Sequence, residues 1–80
     1  MFKRRLGPDP HANGEVTRAL LGCPDLFELD SGDFAAIGRD VTAFASPKLP
    51  QGASCGTEER IVVIPRRTLV MAKPDIPDKV

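Results

Sequence analysis

Asp25-Leu26-Phe27-Glu28-Leu29-Asp30-Ser31-Gly32-Asp33-Phe34-Ala35-Ala36-Ile37-Gly38-Arg39 is the stretch that decides the fold. Two apolar-rich runs flank Asp-Ser-Gly-Asp. Gly32 can adopt positive φ and Asp30 can hydrogen-bond forward, so the chain is predicted to reverse here as a β-hairpin. With Ser31-Gly32 as a two-residue loop, Leu29 faces Phe34, Phe27 faces Ala36 and Leu26 faces Ile37. Phe27, Leu29, Phe34 and Ala36 then share one face, and Leu26, Glu28, Ala35 and Ile37 share the other.

Downstream, Asp40-Val41-Thr42-Ala43-Phe44 reads as weak strand. Residues 45–56 contain Ser46, Pro47, Pro50, Gly52, Ser54 and Gly56 and read as a loop, of a length that marks either disorder or function. Glu59-Arg60-Ile61-Val62-Val63-Ile64 is the most hydrophobic β run, and its four consecutive apolar residues predict a strand buried on both faces. Pro65 ends it and can open a helix. Residues 66–73 lean to helix over strand, and Pro74 and Pro77 keep the tail irregular.

Upstream, Val16, Ala19 and Leu20 have the spacing of one or two helical turns, ended by Gly22 and Cys23-Pro24. Pro8, Pro10 and Asn13-Gly14 suggest that residues 1–14 form a flexible N-terminal arm before a single small domain at 15–80. The fold class predicted is small α+β, mostly β: an antiparallel hairpin, a further strand at 60–64 and one or two short helices. The predicted core is Phe27, Leu29, Phe34, Ile37, Ile61, Val63 and Leu69, so Val63→Asp should unfold the protein.

With 80 residues, the chain has room for one thin core. Eleven basic and eleven acidic residues give zero formal net charge, unlike the basic excess of most nucleic-acid binders. The charges are nevertheless segregated. Asp25, Glu28, Asp30, Asp33 and Asp40 stand against Arg39 alone in residues 21–40, while Lys3, Arg4 and Arg5 crowd the start. Lys3-Arg4-Arg5 leads into Leu6-Gly7-Pro8-Asp9-Pro10 with no apolar core of a signal peptide. No apolar run nears the roughly 18 residues of a membrane span. The expectation is a cytoplasmic protein.

The pattern does not suggest catalysis. The one histidine, His11, lies in the predicted arm, where a base is poorly positioned. Cys23 and Cys55 are not in a C-x-x-C pair and, in this setting, read as thiols more readily than as a disulfide. With His11 they match no zinc spacing. The carboxylates of Asp25, Glu28, Asp30 and Asp33 lack the ligand order of an EF-hand and suit turn formation and solvation. The glycines are scattered, with no phosphate-binding loop. No catalytic, cofactor-binding or metal residue is assigned, and no cofactor is expected.

Arg60-Ile61-Val62-Val63-Ile64-Pro65-Arg66-Arg67 resembles the strand-then-proline motif of AbrB/MazE-type swapped-hairpin proteins. That resemblance implies a dimer that binds DNA and an antitoxin-like role, although Glu59 stands where that family has glycine. The pieces Gly22-Cys23-Pro24-Asp25, Glu28-Leu29-Asp30-Ser31-Gly32-Asp33-Phe34, Ile37-Gly38-Arg39-Asp40-Val41-Thr42 and Glu58-Glu59-Arg60-Ile61-Val62-Val63-Ile64-Pro65 resemble short, uncharacterised actinobacterial proteins. They imply a small accessory protein.

The functional expectation is a non-catalytic accessory or regulatory module that binds a protein partner or a second copy through exposed strand edges. One alternative is a DNA-binding or antitoxin-like dimer contacting nucleic acid through Lys3, Arg4, Arg5, Arg66 and Arg67. Another is a metal- or thiol-dependent protein built on Cys23, Cys55 and His11.

Overall fold

The computed structural model describes residues 1–9 and 24–80. The predicted helix around 16–21, along with His11 and Cys23, lies outside the described residues.

The hairpin forms, with a different turn. Strand β2 (Asp25–Leu29) and strand β3 (Phe34–Ile37) are joined through a three-residue loop, Asp30, Ser31 and Gly32, closed by the pairing of Leu29 with Asp33. The Gly32 N–H donates to the Leu29 carbonyl at 2.9 Å, and the Leu29 N–H donates to the Asp33 carbonyl at 2.8 Å. Gly32 takes φ +94°. A two-residue hairpin loop would need positive φ at its first central residue, which is Ser31. The three-residue loop places that demand on glycine alone. The extra residue shifts the register by one, so Glu28 pairs with Phe34, Phe27 with Ala35, Leu26 with Ala36 and Asp25 with Ile37. A one-residue shift turns every β3 side chain to the opposite face. Asp25, Phe27, Ala35 and Ile37 therefore share one face, and Leu26, Glu28, Phe34 and Ala36 the other.

Residues 1–9 enter the fold, where a flexible arm was predicted. Strand β1 (Phe2–Arg5) pairs antiparallel with β2, with a bulge between Phe2 and Arg4, giving the sheet order β1-β2-β3. Cross-strand charge pairs accompany this pairing. Arg4 Nε donates to Glu28 Oε1 at 2.7 Å, and Arg5 Nε donates to Asp25 Oδ1 at 3.0 Å. Asp25 is buried, and its hydrogen bond with Arg5 raises the guanidinium pKa further above its ordinary value. Arg5 also lies over the Phe27 ring, 5.3 Å from its centroid, and Phe2 tilts against the same ring at 5.2 Å.

Helix α2 (Arg66–Ala72) follows Pro65, which settles residues 66–72 as helix. Its C-terminal end packs against the chain just beyond β1. Gly7, at φ +80°, has no Cβ; one built there would lie 3.1 Å from the Met71 carbonyl oxygen. The 3₁₀ turn Lys73–Asp75 completes the contact. Asp75 Oδ2 accepts from the Gly7 N–H at 2.7 Å, and the Asp75 carbonyl accepts from Arg4 Nη2 at 2.7 Å. Leu6 and Ala72 are the buried apolar residues here.

Beyond β3, Gly38 leads into strand β4 (Arg39–Asp40), which pairs antiparallel with strand β5 (Val62–Val63). The Val41 N–H continues the ladder to the Ile61 carbonyl at 2.9 Å. The weak strand expected through Phe44 gives way to a single helical turn, α1 (Thr42–Ala45). Asp40 initiates it by accepting from Thr42 N at 2.9 Å, the local competition with strand that aspartate favours. In the 45–56 segment, a 3₁₀ turn at Ser46–Lys48 is followed by a bend in which Ala53 N–H donates to the Pro50 carbonyl.

The predicted core does not assemble. Phe34, Ile37, Val63 and Leu69 are 49%, 51%, 42% and 52% exposed, and Phe27, Leu29 and Ile61 are half-buried. Val62 and Val63 are exposed, so β5 is not covered on both faces. Among the described residues no large side chain is fully buried. The elements are too short to cover one another: a seven-residue helix packs at one end of a three-stranded sheet, and the second sheet pairs two residues on each strand.

Candidate functional site

The outer edge of β3 is the distinctive surface. The hydrogen bond from Leu29 to Asp33 fixes the phase of the ladder. Asp33, Ala35 and Ile37 turn their backbone groups toward β2, while Phe34 and Ala36 turn theirs away. On β2 the same phase sends the Leu26 carbonyl toward the first strand, where it accepts from the Leu6 N–H at 2.8 Å. Among the described residues no backbone group meets the outward groups of Phe34 and Ala36.

The two edges of the sheet differ. β1 carries Lys3, Arg4 and Arg5 and a bulge, the usual devices against edge-to-edge association. β3 reads Phe-Ala-Ala-Ile, without charge, proline or bulge. Asp33 and Arg39 stand at its two ends. Both are exposed, and neither side chain makes an ion pair among the described residues.

A second feature lies beside it. Arg39, Asp40, Val41, Thr42, Ala43, Phe44 and Arg60 line an open groove of about 780 Å³. Asp40 Oδ1 accepts from Thr42 Oγ1 at 2.6 Å, and Thr42 Oγ1 accepts from Ile61 N–H at 2.8 Å. Donation from the Thr42 hydroxyl and then its N–H holds the Asp40 carboxyl below its usual range, with Arg60 adding a smaller push. A carboxylate held ionised in this way is a weak general base. Lys48 Nζ sits 3.7 Å from the centroid of the exposed Phe44 ring. The Asp40–Thr42–Ile61 bonds tie α1 to the residue that precedes β5.

Three of the five cations proposed for nucleic acid lie on β1, and Arg66 and Arg67 open α2. Arg4 is held by Glu28 and the Asp75 carbonyl, and Arg5 by Asp25 and Asp9. Lys3, Arg66 and Arg67 are exposed without an ion pair among the described residues. Cys55 is a free thiol, half-buried, with its Sγ 3.4 Å from the Glu59 carbonyl. Among the described residues no three His, Cys, Asp or Glu side chains gather as metal ligands. No helix among them is long and apolar enough to cross a membrane.

The roles of Asp33 and Arg39 as the ends of an open edge were missed in sequence. Their signal was available: an uncharged β run with no lysine or proline to guard it. No protein-family model matches the chain, and neither does any curated protein or solved structure.

Proposed function

We propose that this chain is a small, non-catalytic accessory module of the cytoplasm that binds protein by accepting a strand along β3. The observation that carries this reading is the unguarded β3 edge, with the outward backbone groups of Phe34 and Ala36 unmet among the described residues. Main-chain bonds to an added strand supply affinity, and the side chains on both faces supply selectivity. Phe34 and Ile37, half exposed on opposite faces, gain cover when a strand is added. The free Cys55 thiol suits a reducing compartment.

Ala36→Pro tests the reading. Proline removes an N–H that points away from β2, so the hairpin ladder is untouched while the edge is capped. Tagged wild-type chain and the variant are compared by affinity capture at low salt with nuclease, after circular dichroism shows equal folding. A stoichiometric protein bound to wild type and lost from Ala36→Pro supports the edge as the binding surface. Equal capture by both refutes it.

A second reading, a DNA-binding or antitoxin-like dimer, draws on Arg66 and Arg67, exposed at the start of α2 and without an ion pair among the described residues. It requires duplex binding that weakens steeply with salt and is lost in the Arg66→Ala/Arg67→Ala double variant.

A further inference from the structure

We propose that the strand accepted by β3 is β3 of a second copy of this chain, paired antiparallel about a two-fold axis at Ala36. The inference rests on the reading of β3 as the binding edge and names its occupant.

The outward backbone groups belong to Phe34 and Ala36, so a two-fold ladder forms where even-numbered residues oppose one another. Centring the axis on Ala36 sets Ala36 opposite Ala36 of the second copy, with one methyl group from each strand beside the axis. Phe34 then lies opposite Gly38, whose face is already covered by the Val63 carbonyl and the Ile64 side chain of the same copy. Ala35 lies opposite Ile37. Asp33 lies opposite Arg39, and symmetry repeats that pair at the other end.

Charge complementarity selects a second copy over an arbitrary strand. Asp33 and Arg39 bracket an uncharged edge and make no ion pair among the described residues, and the two-fold arrangement matches each with its opposite. Neighbouring registers lose this match. An axis at Ala35 sets Asp33 opposite Ile37, and one at Ile37 sets Arg39 opposite Ala35. Self-pairing through β1 brings Lys3, Arg4 and Arg5 against their own copies, and like charges oppose that edge. The result is a six-stranded sheet, β1-β2-β3 continued by β3-β2-β1 of the second copy. So short an edge gives a weak dimer of the transient class.

Sedimentation equilibrium of the full chain from about 10 μM to about 1 mM tests this. Wild type is expected to dimerise across that range, and Ala36→Pro to stay monomeric. Asp33→Arg and Arg39→Asp should each weaken the dimer about tenfold, through two like-charge pairs. The double variant Asp33→Arg/Arg39→Asp should recover wild-type association, which a merely structural role for either residue would not produce.

Register is read separately by oxidation in a Cys23→Ser/Cys55→Ser background. Ala36→Cys should give a covalent dimer, because directly opposed residues about 5.5 Å apart suit a disulfide. Phe34→Cys should not, with its two copies roughly 13 Å apart along the strands. Wild type that is monomeric throughout, or a double variant that fails to recover, overturns the self-pairing. If that monomer captures another protein that Ala36→Pro loses, the edge reading survives without self-pairing. If capture is indifferent to Ala36→Pro, both fall.

Discussion

Gly38 is where the chain leaves the three-stranded sheet for the two-stranded one, and Gly38→Ala should open the second ladder. A Cβ there would sit 2.5 Å from the Val63 carbonyl oxygen and 2.8 Å from Ile64 Cδ1. The isoleucine methyl can swing aside. The carbonyl cannot retreat the ~0.8 Å to ordinary carbon–oxygen contact without moving β5. That movement strains the Arg39–Val63 pairing and the bond from Val41 N–H to the Ile61 carbonyl. Two weakened bonds at about 0.5–1.5 kcal/mol each are partly offset by about 0.4–1 kcal/mol from restricting the unfolded chain. The expected net loss is about 1–2 kcal/mol, a large share of the roughly 3–5 kcal/mol such a domain can hold. The chain has no Trp or Tyr, so urea unfolding is followed by far-ultraviolet circular dichroism. Amide exchange at Val41 localises the effect. Gly32→Ala is the matched control: its Cβ meets open space, and φ +94° alone costs about 1–2 kcal/mol. It should leave Val41 protected. Unchanged stability together with unchanged Val41 protection in Gly38→Ala would refute the reasoning.

Leu6→Ala should cost about 2–3 kcal/mol, because Leu6 is buried between the first sheet and α2. Val63→Asp, at a position 42% exposed, should cost less, about 1 kcal/mol; the reverse order in urea melts contradicts the burial pattern. Asp40 has a folded pKa below its unfolded value, so its stabilising contribution is complete above the unfolded pKa and fades as pH falls through the folded one. Asp40→Asn should flatten that acid limb, which urea melts at stepped pH would show. Arg66 places a cation on the first turn of α2, where the helix dipole opposes it and no acidic residue compensates. Arg66→Glu should stabilise the fold by about 0.3–1 kcal/mol, and a loss of thermal stability would count against a bare helix start.

The hairpin was legible because Asp30-Ser31-Gly32 concentrates turn chemistry between two apolar runs. Its register was not, because the choice between two- and three-residue loops depends on which residue takes positive φ. The helix at 66–72 was legible from Pro65 and the good helix formers after it. β1 was invisible for a different reason. Lys3, Arg4 and Arg5 form no apolar alternation, and Glu28 and Asp25, the partners of Arg4 and Arg5, lie twenty or more positions away. The core failed as a forecast because hydrophobic pattern says which residues want burial, and says nothing of whether enough chain is at hand to cover them. The β3 edge was foreseen only in kind, as an unpaired strand. Its polarity, with Asp33 at one end and Arg39 at the other, emerges once the register shows which backbone groups face outward.

Asp75 grips Arg4 and Gly7 across about seventy residues, and this sets an order of events during synthesis. The hairpin can close as soon as Ile37 has left the ribosome, since its contacts are local. β1 can lie down beside it then, but Leu6 has no helix to bury it and Arg4 lacks its second acceptor. Only when the segment from Arg66 to Asp75 emerges can the sheet receive its cover. Between the exit of Ile37 and the exit of Asp75 the nascent chain thus displays an incomplete sheet, with the β3 edge unmet among the described residues. Any factor that meets this protein cotranslationally would encounter β3 before the latch at Asp75 exists.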